Sequence, residues 1–320
     1  MPDGCWRDGS VNRTDRVAVC SRSFSRNPAL RAELLSRYEC VTFNDAGRQL
    51  DGDSLIDFLR GHDKAITALE RIDDYVLSRL PELKAIGKYG VGLDMVDVKA
   101  MRRHGKRLGW ISGVNRRSVA ELTLAFAIVM LRHVPASSQE VRAGTWRQHE
   151  GGLLSGRTIG IIGCGHIGKD LVRLLQPLGC PVLANDICNY RDFYAEFGVE
   201  SVSLDVLLAR ADVVTLHVPL DDSTRGLLNA QRLALLKRSA VLINAARGGL
   251  VDEQALKLAL LEKRLAGAAF DVFAEEPPSD MELLSLPNFL ATPHIGGSAA
   301  EAILAMGKAA IQGLDENEIP

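Results

Sequence analysis

Three side chains with complementary chemistry lie just beyond predicted β-strands in the second half of the sequence. Arg247 follows an apolar run that ends at Asn244, the adjacent Glu275 and Glu276 follow another, and His294 follows a third. An arginine can bind a carboxylate through two hydrogen bonds, and an imidazole can exchange a proton near neutral pH. Because ligands bind at the carboxyl ends of strands in open α/β sheets, we expect these side chains to meet in one crevice.

Each of these side chains also has a simpler explanation when it is considered alone. Arg247 could form a surface ion pair, Glu276 could be a solvated loop acid, and His294 could be an ordinary turn residue. Their joint placement around a predicted nucleotide crevice favours a catalytic site over three independent structural roles.

A glycine-rich segment, Gly163-Cys164-Gly165-His166-Ile167-Gly168, joins a predicted strand to a predicted helix. Such glycines permit a tight turn and close approach of a pyrophosphate, and the helix N-terminus adds N–H groups and partial positive charge. Asp186 ends the next predicted strand, where a carboxylate can bind both ribose hydroxyls and repel a 2′-phosphate. The segment therefore predicts NAD as the cofactor rather than NADP, although the nearby Arg191 would favour a 2′-phosphate.

Short apolar runs and helical periods alternate along the chain and predict two α/β cycles. The first cycle has predicted strands at 17–20, 40–43, 65–69 and 84–87, and predicted helices at 28–37, 54–60 and 74–79. The second has predicted strands at 158–162, 182–185, 213–217, 241–244, 268–271 and 289–292, with helices at 167–178, 204–210, 230–237 and 253–263. A final helix is predicted at 299–311. Strands that alternate with helices need crossover connections, which predicts mainly parallel sheets.

Two predicted capping boxes separate the cycles. The box at 118–121 opens a helix that runs to Leu131, and the box at 137–140 opens a shorter helix that stops at Gly144. The first helix is apolar on almost every side, whereas a helix packed on one domain needs only one apolar stripe. Its cover must come from both domains of its own chain or from a second subunit, and we expect a homodimer.

Composition limits the classes of function. The chain has 320 residues, with 38 Lys and Arg, 40 Asp and Glu, and a formal net charge of −2. This predicts two folded domains and argues against nucleic acid as a partner. The longest apolar run has about ten residues where a membrane span needs about 20, so no membrane partner is expected. Because the first 25 residues hold no signal-peptide core, we expect a cytoplasmic protein. No metal site is expected, since the cysteines lack zinc-ligand spacing and look like reduced thiols; they are Cys5, Cys20, Cys40, Cys164, Cys180 and Cys188.

Taken together, the motifs resemble the NAD-dependent D-isomer-specific 2-hydroxyacid dehydrogenase family, and within it the phosphoglycerate-dehydrogenase-like branch. The similarity runs from about Arg16 to Gln312. The matching segments are KYGVGLD at 88–94, SVAE at 118–121, GCGHIG at 163–168, LHVPL at 216–220, NAARGGLVDE at 244–253, FDVFAEEPP at 270–278 and TPHIGG at 292–297.

The resemblance implies an α/β chain with two doubly wound parallel-sheet domains. A Rossmann NAD-binding domain would span 114–297, and a flavodoxin-like substrate-binding domain would combine 1–113 with 298–320. The family's catalytic set falls on Arg247, Glu276 and His294, with Glu276 chosen because the family's acid directly precedes a proline. His294 would be the general base in oxidation and the general acid in reduction, while Arg247 would hold the substrate carboxylate.

The same resemblance assigns binding residues. The residues predicted to bind NAD are Gly163, Gly165, His166, Ile167, Gly168, Asp186, His217, Pro219, Ala245, Ala246, Arg247, Asp271, His294, Gly296 and Gly297, with Asp271 at the nicotinamide carboxamide. The residues predicted to bind substrate are Lys88, Tyr89, Gly90, Val91, Gly92, Arg247 and His294. At 89–92 the backbone would receive the substrate carboxylate, because glycines let N–H groups face an anion.

Some positions depart from the family pattern and leave the substrate open. Lys88 stands where many phosphoglycerate-specific members have Arg, and Met95 stands where the family usually has Asn. Arg116 and Arg117 could meet a second anionic group, although such a pair is more often solvated.

The function expected is hydride transfer between NAD(H) and a D-2-hydroxy acid/2-oxo acid pair, with a 3-phosphoglycerate-like substrate. One alternative is a hydroxypyruvate or glyoxylate reductase. A second alternative, from another class, is a corepressor-like protein that uses the same fold to sense NAD(H) and bind partners.

Overall fold

The computed structural model describes residues 14–320. The chain divides into two compact units, one formed by the described residues up to Asn115 together with Ala300–Pro320, and the other by Arg116–Ala299. Cys5 lies outside the described residues. The other five cysteines, Cys20, Cys40, Cys164, Cys180 and Cys188, are free thiols.

A parallel sheet organises the described part of the first unit. Its strands are β1 (Arg16–Val19), β2 (Cys40–Phe43), β3 (Lys64–Thr67), β4 (Ala85–Lys88) and β5 (Arg107–Gly109). They are ordered β2-β1-β3-β4-β5, and every pair is parallel. This is the flavodoxin-like order of a doubly wound sheet.

Helices cover both faces of this sheet. They are α1 (Arg22–Arg26), α2 (Pro28–Arg37), α3 (Gly52–Leu59), α4 (Asp74–Leu77), α5 (Val98–Arg103) and the last helix of the chain, α14 (Ala300–Gly313). The backbone of α14 touches the strands, because a Cβ on Gly87 of β4 would lie 2.2 Å from the carbonyl oxygen of Ala310. The C-terminal helix therefore completes the core of the first unit.

The second unit carries a larger parallel sheet. Its strands are β6 (Ile159–Ile162), β7 (Val182–Asn185), β8 (Val199–Ser201), β9 (Val213–Leu216), β10 (Val241–Asn244), β11 (Gly267–Phe270) and β12 (Phe289–Ala291). Their order is β12-β11-β10-β9-β6-β7-β8, which reverses direction between β6 and β9. That reversal is the switch point at which doubly wound sheets bind nucleotides.

The helices of the second unit are α6 (Arg116–Leu131), α7 (Val134–Arg142), α8 (His166–Leu175), α9 (Arg191–Phe197), α10 (Leu204–Arg210), α11 (Ala230–Leu233), α12 (Glu253–Leu261) and α13 (Met281–Leu284). Two apolar cores lie on opposite faces of the sheet, one built with α6 and α8 and the other with α10, α11 and α12. The predicted fold class, two doubly wound parallel sheets, is confirmed.

The strands predicted from the sequence are all present, but both predicted capping boxes are wrong. Helix α6 begins at Arg116, so Ser118 lies in its first turn and its hydroxyl donates to the carbonyl oxygen of Gly296. Helix α7 begins at Val134 with Pro135 in its first turn, which places Ser137 inside the helix. A proline suits the first turn because it needs no N–H donor there.

Helix α6 is largely covered within its own unit. It packs against α8, β10 and β11, and Phe126, Ala127 and Met130 are buried there, whereas Ile128 is 42% exposed. The second unit itself therefore covers most of the apolar surface of this helix, and the expected homodimer stays a prediction. Among the described residues no single helix is long and apolar enough to cross a membrane, and α6 with α7 reaches that length only as a pair bent by 64°.

Candidate active site

The glycine-rich segment forms a sharp corner between β6 and α8. Gly163 has a φ of +90°, and a Cβ there would lie 2.8 Å from the carbonyl carbon of His217. A Cβ on Gly168 would lie 2.5 Å from the carbonyl oxygen of Gly163, so helix and strand meet at van der Waals contact. A Cβ on Gly165 would meet no atom within 4 Å, so open space lies in front of this turn. The predicted roles of Gly163 and Gly168 in turning and packing thus have a direct steric basis.

Asp186 lies at the end of β7 beside this corner. Its carboxylate accepts the N–H of Cys164 at 2.6 Å and the N–H of Cys188 at 2.8 Å. A carboxylate offers about four lone-pair directions, so these two bonds leave acceptor capacity for ribose hydroxyls. The open space at Gly165, the uncapped N-terminus of α8 and this carboxylate together fit the pyrophosphate and ribose of a dinucleotide.

The loop after β10 presents Arg247 and is organised by a buried asparagine. The side chain of Asn244, 1% exposed, donates to the carbonyl oxygen of Arg247 at 2.8 Å and accepts the N–H of Ala246 at 3.2 Å. A Cβ on Gly248 would lie 1.8 Å from the carbonyl oxygen of Phe273, so the next loop packs directly on this one. Asn244 was not among the predicted site residues, although it begins the NAARGG motif.

Glu276 and His294 form a hydrogen-bonded pair. Nδ1 of His294 lies 2.9 Å from Oε2 of Glu276, and Oε1 of Glu276 accepts the N–H of Phe273 at 3.1 Å. Both carboxylate oxygens are thus used, and the bond orients the imidazole with Nε2 available. Glu276, rather than Glu275, is the acid that bonds the histidine, and the side chains of Glu276 and His294 are 40% and 47% exposed.

Asp271 fixes the backbone of the loop at 292–297, which carries His294. It is 1% exposed, and its carboxylate accepts the hydroxyl of Thr292 at 2.5 Å and the N–H groups of Ile295 and Gly296, both at 2.7 Å. The backbone carbonyl of Asp271 also accepts the N–H of His294, whose φ is +54°. The left-handed conformation of a non-glycine residue costs about 1 kcal/mol or more, and these bonds hold it. The sequence predicted Asp271 only as a cofactor ligand and did not predict this structural role.

The remaining predicted cofactor residues surround the same strand ends. Nε2 of His217 lies 3.1 Å from Oγ1 of Thr215, and burial lowers the pKa of His217 to about 3. Ala245 and Ala246 are buried at the start of the Arg247 loop, and Pro219 is exposed. Residues 166 and 167 form the first turn of α8, and residues 296 and 297 form a turn that the hydroxyl of Ser118 contacts at 2.6 Å.

The predicted substrate-binding segment lies in the first unit, at the end of β4. The ammonium group of Lys88 is buried and donates to the carbonyl oxygen of Ala68 at 2.6 Å and, more weakly, to that of Tyr89 at 3.4 Å. The ring of Tyr89 is buried against Phe24, so only its backbone remains for an anion. Gly90 has a φ of +117°, and the carbonyl oxygen of Val91 accepts the indole N–H of Trp110.

Arg117 lies at the surface of the second unit and pairs with a buried acid. Its guanidinium donates one hydrogen bond of 3.0 Å to the carboxylate of Asp170, which is 4% exposed, and its Nε lies 2.9 Å from the other carboxylate oxygen. Arg117 is thus half-exposed to solvent and at the same time ion-paired, because a buried carboxylate needs a paired cation. This ion pair joins the first turn of α6 to α8.

Comparison with protein families gives a match that spans the second unit. Residues 124–296 match the family described as "D-isomer specific 2-hydroxyacid dehydrogenase, NAD binding domain". The chain is 39% identical over 235 residues to the D-3-phosphoglycerate dehydrogenase of Methanocaldococcus jannaschii, covering 72% of this chain and 45% of that protein. It is 42% identical over 236 residues to the (S)-sulfolactate dehydrogenase of Chromohalobacter salexigens, covering 72% of this chain and 76% of that protein.

The chain spans about half the length of several phosphoglycerate dehydrogenases that it matches. Among solved structures it resembles the D-lactate dehydrogenase of Aquifex aeolicus in complex with NAD and lactic acid. That structure has a TM-score of 0.80 and 25% sequence identity, with 93% of each chain covered.

Proposed function

Because the chain belongs to the D-isomer-specific 2-hydroxyacid dehydrogenase family, we propose that it transfers a hydride between NAD(H) and a D-2-hydroxy acid/2-oxo acid pair. The bond between His294 and Glu276 carries this proposal, because it gives one imidazole a fixed tautomer beside an arginine loop. A loop histidine that only stabilised a turn would need no carboxylate partner.

Each residue of the catalytic set has a separate task. NAD supplies the hydride acceptor when it is bound. In the oxidation direction Nε2 of His294 removes the hydroxyl proton, and the Glu276 carboxylate stabilises the resulting imidazolium. In the reduction direction the same nitrogen returns the proton. Arg247 binds the substrate carboxylate through two parallel hydrogen bonds and polarises the 2-oxo group.

The second unit would hold the cofactor and the first unit the substrate, with boundaries near 113 and 298. Residues 163–168 would bind the pyrophosphate and Asp186 the ribose hydroxyls, which selects NAD over NADP by at least about tenfold in kcat/KM. The backbone at 89–92, next to the Lys88 ammonium, would bind the substrate carboxylate.

For the substrate we propose a 2-hydroxy acid with a second anionic group, of the 3-phosphoglycerate type. The names of the two relatives support this class, since phosphoglycerate and sulfolactate both carry such a group. A hydroxypyruvate or glyoxylate reductase is the alternative, and Lys88 in place of the arginine common among phosphoglycerate enzymes favours it.

The test is oxidation of NADH at 340 nm with a panel of 2-oxo acids, repeated with NADPH. The panel contains phosphohydroxypyruvate, sulfopyruvate, hydroxypyruvate, glyoxylate and pyruvate. We expect turnover with NADH, fastest with phosphohydroxypyruvate or sulfopyruvate, the two acids that carry a second anionic group. His294→Asn should abolish this turnover. Tight binding of NADH without turnover of any acid would contradict the proposal and favour a sensor of the corepressor kind.

The proposed assembly is a homodimer in the cytoplasm. Helix α7 buries none of its residues, and the segment that begins there exposes apolar side chains that a second copy could cover. The most exposed are Val134 (45%), Val141 (51%), Trp146 (85%) and Leu153 (70%). Exposed apolar surface of this kind marks an interface. Light scattering on the panel sample should then give about twice the chain mass of 34.8 kDa.

A further inference from the structure

Glu253 reaches from the start of α12 into the loop that carries Glu276. It is the first residue of the helix, after the N-cap Asp252, and its Oε1 accepts the N–H of Ala274 at 2.8 Å. An acid in the first turn of a helix needs no such contact to stabilise the helix, because the macrodipole acts on any carboxylate there. Stabilisation of the helix therefore does not account for the bond between Glu253 and Ala274.

The peptide unit between Phe273 and Ala274 is fixed from two sides. Glu253 holds its N–H, and the backbone of Gly248 packs against its carbonyl group, where a Cβ would lie 1.8 Å from the oxygen. A peptide unit is planar, so holding its two ends fixes the orientation of the whole plane.

That plane controls the position of the acid. The N–H of Phe273, one residue earlier, donates to Oε1 of Glu276, and Oε2 of Glu276 bonds Nδ1 of His294. The chain continues from this plane through Ala274 and Glu275 to Glu276, so a rotation of the plane would shift Glu276 away from the Phe273 N–H and weaken one of the bonds that aim it at the imidazole. Glu253 is thus linked to His294 through the backbone at 273–274 and the carboxylate of Glu276.

The carboxylate occupies this place at an electrostatic cost. Burial raises the pKa of Glu253, and the negative charges of Asp280, Asp252 and Glu276 raise it further. Lys257 compensates only part of this charge, because its ammonium bonds Asp280 at 2.8 Å and Glu282 at 3.0 Å. A neutral side chain would avoid this cost, whereas the bond to Ala274 needs an acceptor oxygen.

We propose that Glu253 is a positioning residue for the reaction, which holds the loop at 273–276 so that Glu276 orients His294. This inference rests on the dehydrogenase function proposed above. The contact of Glu253 is with the loop backbone at Ala274 and not with Glu276 or His294, so its effect passes through the geometry of the Glu276–His294 pair.

The kinetic test compares Glu253→Ala with Glu253→Gln. The alanine removes the acceptor and should lower kcat by about 10- to 100-fold with little change in KM for either substrate, since misplacement of a catalytic group by about 1 Å costs this much. The glutamine keeps an acceptor oxygen without the charge and should restore kcat to within about threefold of wild type. The control is Asp205→Ala, which removes a first-turn acid from α10 in the same unit and should leave kcat unchanged.

A purely structural role makes a different prediction. Both Glu253 variants would then behave alike, since both lose the charge at the helix N-terminus, and turnover would follow thermal stability. Equal kcat in the two variants, or a kcat for Glu253→Ala within twofold of wild type, would overturn the proposal.

A second measurement does not depend on turnover. The ¹⁵N signals of the His294 imidazole report which ring nitrogen carries the proton, with Glu276→Ala as the reference for a lost pair. We expect the signals of Glu253→Ala to move toward that reference, and those of Glu253→Gln and Asp205→Ala to stay at the wild-type position. Unmoved signals in Glu253→Ala contradict the positioning role, whereas absence of turnover in wild type contradicts the dehydrogenase function and leaves this readout intact.

Discussion

Two regions of the second unit are built on opposite principles. The corner at 163–168 is made of backbone, and its shape follows from places where a Cβ would collide with a neighbouring main chain. The loops at 271–276 and 292–297 are shaped by side chains, chiefly the carboxylates of Asp271, Glu276 and Glu253, which accept main-chain N–H groups from these loops.

The difference follows from what each region has to do. A pyrophosphate is bound by several N–H groups at fixed positions, so a rigid backbone without side chains serves it best. Proton transfer needs an imidazole in one orientation with its protonation coupled to a neighbour, which only side chains can provide. The two regions should therefore fail in different ways when they are changed.

The largest expected effect is on the side-chain region. Replacing His294 with Ala removes the group that moves the proton and should lower kcat by about 10²- to 10⁴-fold, with NADH affinity nearly unchanged. The measurements are steady-state kinetics with the best 2-oxo acid and a fluorescence titration of NADH. His104→Ala is the matched control, because that histidine bonds Asp74 at 3.0 Å on the surface of the first unit and should be without effect.

Wild-type turnover in His294→Ala would remove the proton-transfer role from these loops. A parallel loss of NADH affinity would show that proton transfer and cofactor binding are not separated between the two regions.

Substitutions of two glycines in the backbone region should have smaller effects, and these should differ between the two positions. Gly165→Ala adds a methyl group into open space, so it should leave thermal stability unchanged and weaken NADH by about 10- to 100-fold, because the methyl group occupies the pyrophosphate position. Gly163→Ala combines a φ of +90° with a clash against the main chain of His217. It should lower the free energy of unfolding by about 1 to 3 kcal/mol as well.

Gly105→Ala isolates the strain component for the Gly163 variant. Gly105 has a φ of +63° but no atom within 4 Å of its Cβ position, and it lies in the first unit. Its replacement should cost stability without changing NADH affinity. A Gly165 variant that binds NADH normally would show that the pyrophosphate does not lie at this turn.

The backbone region can be predicted from the sequence more completely than the side-chain region, because its shape depends on local sequence. Glycine spacing between a strand and a helix specifies a backbone shape, so the turn at 163–168 and the carboxylate of Asp186 beside it could be predicted from local pattern. The elements of the large sheet could be predicted too, because buried parallel strands are continuous apolar runs. The short edge strand β8, with only Val199 buried, has no such run and was missed.

The side-chain region could be predicted only as far as its reacting groups. Nothing in the order of residues shows that Asp271 accepts N–H groups more than 20 positions away, or that Glu253 reaches Ala274. Ser118 gives the opposite lesson, since its sequence fits a capping box while its hydroxyl bonds Gly296 instead. Long-range hydrogen bonds decide these roles, and local pattern carries no information about them.

His217 gives the smallest expected effect and tests where the pH dependence arises. Its main chain packs against Gly163 of the backbone region, and burial lowers the pKa of its imidazole to about 3. It should therefore remain neutral at neutral and mildly acidic pH, so that the side-chain region alone sets the pH profile of kcat. His217→Asn should leave the shape of that profile between pH 5.5 and 9, chosen as about the working range of a histidine, unchanged.

The same depressed pKa has a consequence for stability, and its sign is fixed by linkage. In the unfolded chain this histidine takes up a proton below about pH 6.5, whereas the folded protein binds none until the pH approaches 3. Its contribution is thus fully present above pH 6.5 and is lost as the pH falls toward 3.

Urea unfolding at pH 7.5 and pH 5 measures this contribution. Between the two pH values the free energy of unfolding should fall by about 2 kcal/mol more in wild type than in His217→Asn, at most about 1.4 kcal/mol per pH unit. Other titrating groups contribute equally to both proteins and cancel in the difference. Equal losses in the two proteins would mean that His217 accepts a proton in the folded state, and the backbone region would then contribute to the pH dependence after all.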